Sequence, residues 1–226
     1  MLAARDPQTG EALSDAEIRD QCGTMLFAGH ETTARLLFWA CYLLCLDPAE
    51  QARLRDEAQG FAAGEAARLS DLERWPRARQ VLLETLRLYP PVANLAREAI
   101  VDTTVGAEPV KAGTRVWVVP FLMHRHRRFW DRPNAFLPDR FDGRPSPWNE
   151  GPYLPFGAGP RICIGAAFAT AEAQIALASV LSRFELELDT ERPVLPVGRI
   201  TLLPDHEPIF RFRPIEGRRD AERVAA

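Results

Sequence analysis

The longest run of helical character begins at Ser14-Asp15-Ala16-Glu17 and stops at Asp47-Pro48. Serine at the N-cap with glutamate three residues on is a capping-box start, and Asp-Pro is a stop signal. Such a helix spans roughly 45–50 Å at about 1.5 Å per residue, long enough to cross a whole domain. Its second half, Leu36–Leu46, is almost wholly apolar. His30, Glu31, Thr32, Thr33 and Arg35 interrupt the middle, leaving a run shorter than the ~20 apolar residues of a membrane span. A buried central helix is expected.

Residues 49–60 read as an amphipathic charged helix, followed by a loop at Gly60–Gly64. Ser70-Asp71-Leu72-Glu73 starts another helix, interrupted near Trp75-Pro76, which resumes over Arg79–Leu88 and ends at Tyr89-Pro90-Pro91. Alternation then predicts short strands near 95–101 and 114–119 around a turn at Lys111–Thr114. Residues 142–155 form a Pro/Trp/Gly-rich meander. The segment 166–183 shows no strong polar face before Ser182-Arg183, so it is expected to be buried. Phe184–Leu188, 199–203 and Ile209–Phe212 suggest a terminal hairpin sheet. Residues 1–13 are a polar lead-in and 214–226 a frayed charged tail. The pattern predicts a mainly α protein with small β-sheets, an α+β fold, in one domain over residues 1–226.

Composition narrows the classes. The 226 residues are 46% hydrophobic, enough for one sizeable core, and the net charge of −3 suggests no nucleic-acid partner. Cys22, Cys41, Cys45 and Cys163 show neither Cys-x-x-Cys spacing nor a disulfide framework. That usage fits a reducing compartment, and no signal peptide opens the chain, so a cytoplasmic location is expected.

Candidate chemistry concentrates in residues 156–165, Phe-Gly-Ala-Gly-Pro-Arg-Ile-Cys-Ile-Gly. Phe156, Gly157, Gly159 and Pro160 describe a tight turn whose backbone passes close to something bulky. A cysteine entering a helix N-terminus meets unpaired N–H groups and the positive end of the dipole. Both favour the thiolate, the metal-binding form. Phe156 would shield the sulfur, and Arg161 is placed to pair with an anionic cofactor edge. A buried cysteine in a glycine-rich turn is the alternative for Cys163 alone. In mid-helix, Ala28-Gly29-His30-Glu31-Thr32-Thr33 combines a residue that weakens helices with polar groups. Ala28 and Gly29 leave room for a flat ligand, and the Thr32 hydroxyl could bond that ligand. A packing notch with a solvated polar stripe fits as well. Glu84 and Arg87 are three apart and can pair. His124-Arg125-His126-Arg127-Arg128 reads as a solvated basic face, since two histidines without a third ligand are weak evidence for a metal.

The cysteine loop resembles the haem-binding loop of the cytochrome P-450 family, Phe-x-x-Gly-x-Arg-x-Cys-x-Gly, at Phe156, Gly159, Arg161, Cys163 and Gly165. Residues 28–33 resemble the family's oxygen-activating motif. Glu84-x-x-Arg87 resembles its Glu-x-x-Arg helix. Phe136-x-Pro138-Asp139-Arg140-Phe141 resembles Phe-x-Pro-Glu-Arg-Phe, with aspartate for glutamate. The motifs stand in the family's order, and the resemblance implies the C-terminal portion of that fold, from the oxygen-binding helix onward. It implies haem b with Cys163 as its iron ligand, contacts from Ala28, Gly29, Phe156, Gly157, Arg161 and Gly165, and proton delivery by Thr32 and Glu31. Arg97 falls where the family often sets an arginine against a haem propionate; an exposed strand arginine is the equal alternative. Glu84, Arg87 and Arg140 would form a buried charge network.

The implied activity is a haem-thiolate monooxygenase, or a fragment of one, hydroxylating an apolar organic substrate with O₂. Electrons would come from a ferredoxin or a flavoprotein reductase. The alternatives are a truncated, inactive haem-binding remnant and a cofactor-free helical interaction module. Family members are much longer, so a partial domain is expected. It would leave Leu36–Leu46 uncovered and be unable to turn over alone; a membrane anchor in a preceding half stays open.

Overall fold

Ser14 begins the first helix as its sequence dictates. In the computed structural model, which describes residues 3, 5, 6, 8–59, 69–144 and 151–215, the Ser14 hydroxyl accepts from the Glu17 amide at 3.3 Å. The Ser14 amide donates to the Glu17 carboxylate at 2.8 Å. Helix α1 then runs Asp15–Leu46, 32 residues. Asp47 closes it and caps α2, Pro48–Ala58, by accepting from the Glu50 amide at 3.0 Å. A 3₁₀ turn, Leu69–Arg74, stands where an α-helix is expected; α3, Pro76–Leu88, follows with proline at its start, where the missing N–H costs nothing. A short α4, Pro120–Met123, and a 3₁₀ turn, Pro138–Phe141, lead to α5, Ala166–Leu181. The Gly60–Gly64 loop, residues 145–150 of the meander and residues 216–226 of the tail lie outside the described residues.

Among the described residues the strands form four antiparallel pairs. Strand β1, Leu95–Glu98, pairs with β4, Arg115–Val118. Between them lies a hairpin the alternation did not reveal, β2, Thr103–Val105, with β3, Glu108–Val110. Strand β5, Phe184–Asp189, pairs with β8, Ile209–Pro214, setting Leu186 opposite Phe212. The 199–203 segment does not join that pair. Its β7, Leu202–Pro204, pairs instead with β6, Pro196–Gly198. Among the described residues no helix is long and apolar enough to cross a membrane.

Two expectations are overturned by where the other helices pack. The second half of α1 is not left uncovered. Leu36, Ala40 and Leu44 are buried in one core with Leu54 of α2, Val81, Leu82, Leu83 and Leu86 of α3, Leu177 and Leu181 of α5, and Leu186 of β5. Trp39 and Tyr42 enter a second cluster with Val194, and Trp39 stacks on Tyr89 at 4.1 Å. The first half of α1 is the open one: Leu26 is 74% and Phe27 69% exposed. Helix α5 is not buried all round either. Ala166, Thr170, Ala173, Gln174, Leu177, Ala178 and Leu181 make one buried stripe. On its outer side Ala167, Phe168 and Glu172 are exposed, and Ala169, Ala171, Ile175, Ala176, Ser179 and Val180 are half-buried.

Behind α3 lies a buried charge network. Glu84 and Arg87 are fully buried. Arg87 donates to both Glu84 oxygens at 2.7 Å and to the carbonyls of His124 (2.7 Å), Pro133 (2.6 Å) and Ala135 (2.9 Å). Arg140 donates to Glu84 Oε1 at 3.3 Å and to the Arg132 carbonyl at 2.9 Å. A second network was not read from the sequence. Arg77 pairs with buried Glu50 and with Asp139, and Glu57 accepts from the Arg77 and Ala78 amides at 2.7 and 3.0 Å.

Two stability predictions follow from burial. Leu44→Ala is expected to cost about 2–5 kcal/mol, and Leu26→Ala to stay within about 0.5 kcal/mol, both by urea unfolding of residues 1–226. Equal effects would contradict the division of α1 into covered and open halves. Arg87→Ala leaves Glu84 buried without its counter-charge and is expected to cost roughly 3–5 kcal/mol. Arg97→Ala, on the exposed strand β1, should fall within about 0.5 kcal/mol.

Candidate functional site

The cysteine loop is shaped by glycines that its geometry requires. Gly157 and Gly159 have φ of 75° and 71°, in the left-handed region where a side chain is strained. A Cβ on Gly157 would meet Leu95 Cδ1 at 3.7 Å, an ordinary contact, so the backbone angle is what calls for glycine there. A 3₁₀ turn, Gly159–Arg161, carries the chain to Cys163. The Cys163 amide donates back to the Phe156 carbonyl at 2.9 Å, and the Gly157 amide to the Leu154 carbonyl at 3.2 Å. Phe156 packs on the main core, so the loop is anchored at its base. Cys163 itself is exposed. Gly165 is the N-cap of α5, which sets the thiol beside that helix's unpaired N–H groups. A Cβ on Gly165 would lie 3.8 Å from the Cys163 sulfur.

Exposed apolar side chains flank the cysteine, and the candidate positions on α1 are open. Ile164 is 90% and Phe168 73% exposed, and Ile162 is also exposed. Gly29 has open space where a Cβ would stand, and Ala28 and Arg161 are exposed. The Thr32 hydroxyl donates to the Ala28 carbonyl at 2.7 Å, as helical threonines do, so its lone pairs remain available to accept. Glu31 accepts from the hydroxyl of buried Thr201 at 2.8 Å and lies 3.5 Å from the Arg35 guanidinium. Thr201 is 170 positions from Glu31, and nothing in the sequence signals it. Arg97 is exposed on β1, its guanidinium donating to the Ala96 carbonyl at 2.8 Å. It stands apart from Glu84, Arg87 and Arg140, which the fold does bring together.

The basic run is a correction. His126, Arg127 and Arg128 are exposed, but His124 is fully buried. Burial, with Arg87 and Arg125 nearby, pushes its pKa down to about 3, so the ring is neutral. Arg125 lies over the Phe121 ring at 4.0 Å, and burial lowers its pKa to about 10. The sequence marks these residues as charged and therefore wet; their aromatic neighbours are partly local, Phe121 and Trp130, and partly distant, Tyr89 and Tyr153. Among the described residues, no group of three or more His, Cys, Asp or Glu side chains could hold a metal ion; a single thiolate ligand needs none.

Comparison with known proteins agrees with this geometry. The family model for cytochrome P450 matches residues 1–209. Cyclooctatin synthase of Streptomyces melanosporofaciens is 38% identical over 187 residues, 82% of this chain and 41% of that protein. The bifunctional cytochrome P450/NADPH–P450 reductase 2 of Bacillus subtilis is 39% identical over 91% of this chain and 20% of that protein. The crystal structure of a cytochrome P450, CYP102L1, superposes with a TM-score of 0.85 at 33% identity, covering 95% of this chain and 49% of that one. The chain thus spans less than half the length of these relatives. With the matching fold, the cysteine loop and the buried Glu-x-x-Arg network together, the chain belongs to the cytochrome P450 family, whose proteins bind haem b through a cysteine thiolate.

Proposed function

We propose that this chain is the cysteine-bearing part of a haem-thiolate monooxygenase that oxidises an apolar organic substrate with O₂ and electrons from a protein donor. The observation that carries the reading is the exposed Cys163 thiol at the N-terminus of α5, in a turn held open by Gly157 and Gly159 and edged by Ile162, Ile164 and Phe168. Haem b bound there would supply the oxidation chemistry, with the Cys163 thiolate as its electron-rich ligand.

The chain's own residues hold and surround that group. Cys163 would hold the iron as its thiolate. The bare glycine backbone would leave room for the ring, and Arg161 and Arg97 would be the cations for its acidic edge. Ala28 and Gly29 would leave room for it on α1. Thr32 would accept a hydrogen bond while its own hydroxyl donates to the Ala28 carbonyl. Glu31, held by Thr201, is the carboxylate that can take up and release a proton beside it. The name of the Bacillus subtilis relative joins a cytochrome P450 to an NADPH–P450 reductase; for this chain a flavoprotein reductase or a ferredoxin is the proposed donor.

Two measurements test the reading. Residues 1–226 reconstituted with haem are expected to give the reduced-CO absorption band of thiolate ligation, and Cys163→Ala to abolish it. A chain that takes up no haem is a cofactor-free module, and a Cys163→Ala variant that keeps the band has another ligand. Thiol alkylation at about pH 8 is a second check. Burial pushes the Cys41 pKa up to about 12 and that of Cys45 to about 11. Both stay protonated and should resist labelling until pH approaches those values, whereas exposed Cys22 and Cys163 should label. Bound haem should then protect Cys163 and leave Cys22 reactive.

A further inference from the structure

His124 sits where the buried arginine and the cysteine loop meet, and every polar atom of its ring is used. The Leu154 amide points at His124 Nε2 at 2.8 Å. A backbone N–H can only donate, so Nε2 is an acceptor and the proton sits on Nδ1. Nδ1 lies 3.1 Å from the Arg87 carbonyl, one of the last carbonyls of α3, which no later turn of the helix satisfies. The His124 carbonyl in turn accepts from the Arg87 guanidinium at 2.7 Å. Arg87 and His124 are thereby bound twice, side chain to main chain in both directions. The ring is wedged beside Tyr153, centroids 5.2 Å apart, and Trp130, 6.5 Å.

Leu154 stands at the base of the cysteine loop, two residues before Phe156, which packs on the main core. Its neighbour Tyr153 is buried and donates its hydroxyl to the Leu83 carbonyl at 2.7 Å. From Leu154 onward the ties run within the loop, Gly157 amide to Leu154 carbonyl and Cys163 amide to Phe156 carbonyl. A continuous path of hydrogen bonds and short backbone links therefore connects the Arg87 carbonyl, the His124 ring, Leu154, Phe156 and Cys163. We propose that His124 is a positioning residue for the cysteine loop, its imidazole bolting the Leu154 backbone to the end of α3 so that the Cys163 thiol is presented in one place. The proposal rests on the haem-thiolate reading for its purpose, but its mechanics concern the protein alone.

Amide hydrogen exchange on residues 1–226, resolved to single residues, tests it without haem. In the unaltered protein the Leu154 amide should be protected like those of Val81–Leu83 in α3, although Leu154 lies in a loop. His124→Leu should speed exchange at Leu154, Gly157 and Cys163 roughly ten-fold, the effect of losing about one buried hydrogen bond, and leave Val81–Leu83 much less affected. His124→Gln, whose amide oxygen reaches the place of Nε2, should restore protection. His124→Asn, which can serve only the Arg87 carbonyl, should not. In the haem-loaded protein the Asn variant should give a reduced-CO band divided between thiolate and non-thiolate forms, and the Gln variant a single thiolate band.

A Leu154 amide that exchanges like an exposed loop in the unaltered protein overturns the proposal, even should the variants fail to fold. Acceleration shared equally by α3 and the loop, or Asn performing as well as Gln, makes His124 a core-filling residue and also overturns it. An unaltered protein without a thiolate band would sink the proposed function but leave the exchange result to decide the role of His124.

Discussion

A guanidinium that stays charged in a place without water dictates much of what surrounds it. Arg87 cannot shed its charge by losing a proton, and its five N–H groups must each find an acceptor or pay a desolvation cost. All five do: two on Glu84 and one each on the carbonyls of His124, Pro133 and Ala135. Three of the five acceptors belong to irregular backbone between α4 and the 3₁₀ turn at Pro138–Phe141. Irregular chain in a core would otherwise carry orphan carbonyls, so the need is mutual. The arginine takes carbonyls that no helix or strand would satisfy, and those carbonyls hold residues 124–135 in a single path. Glu84 extends the arrangement by also accepting from the Leu137 amide at 2.9 Å and from Arg140.

The second charged cluster works on the next stretch of the same segment. Asp139 pairs with Arg77 and Arg140 with Glu84, so neighbouring residues of the 3₁₀ turn are drawn to opposite charges on α3. Arg77 also reaches Glu50 of α2. The bond from Arg77 lowers the Asp139 pKa, whereas burial raises that of Glu57. The value of such clusters lies less in net stability, which desolvation largely offsets, than in admitting few alternative packings. A segment with little regular structure of its own is the place where that selectivity matters.

What the sequence made legible follows from the range of each interaction. The capping box of α1, the stop at Asp47-Pro48 and the Glu84–Arg87 pair are set by residues within four positions of each other, and local chemistry sufficed to read them. The cysteine loop was legible because positive-φ turns demand glycine, leaving Gly157 and Gly159 visible in the chain. The misreadings needed tertiary knowledge. His124 looked solvated beside Arg127 and Arg128; its cover comes from nearby Trp130 and distant Tyr153. Helix α5 looked buried all round because Glu172 is a lone polar mark on a small-residue face, and the positions of α1, α2 and α3 decide which side is covered. Thr201, the partner of Glu31, lies in a segment whose pattern gave only a short strand.

The division of α1 ties these observations to function. Its second half is fixed by Leu36, Trp39, Ala40 and Leu44 within two clusters, and the Trp39 indole N–H donates to the Leu202 carbonyl at 3.0 Å. A continuous helix transmits that anchorage forward to residues 28–33. The motif sits at the boundary: Thr33 is buried, Glu31 and Thr32 are half-buried, and Ala28, Gly29 and His30 are exposed. The neighbouring Thr201–Leu202 pair touches both sides of the boundary, Leu202 through Trp39 and Thr201 through Glu31. The bond that orients the carboxylate therefore comes from a residue adjacent to one of the helix's anchors. A displacement of that segment would disturb the footing of α1 and the Glu31 carboxylate together. This is a physical reason for the β6–β7 hairpin to lie against this helix: the same two residues support Trp39 on one side and Glu31 on the other.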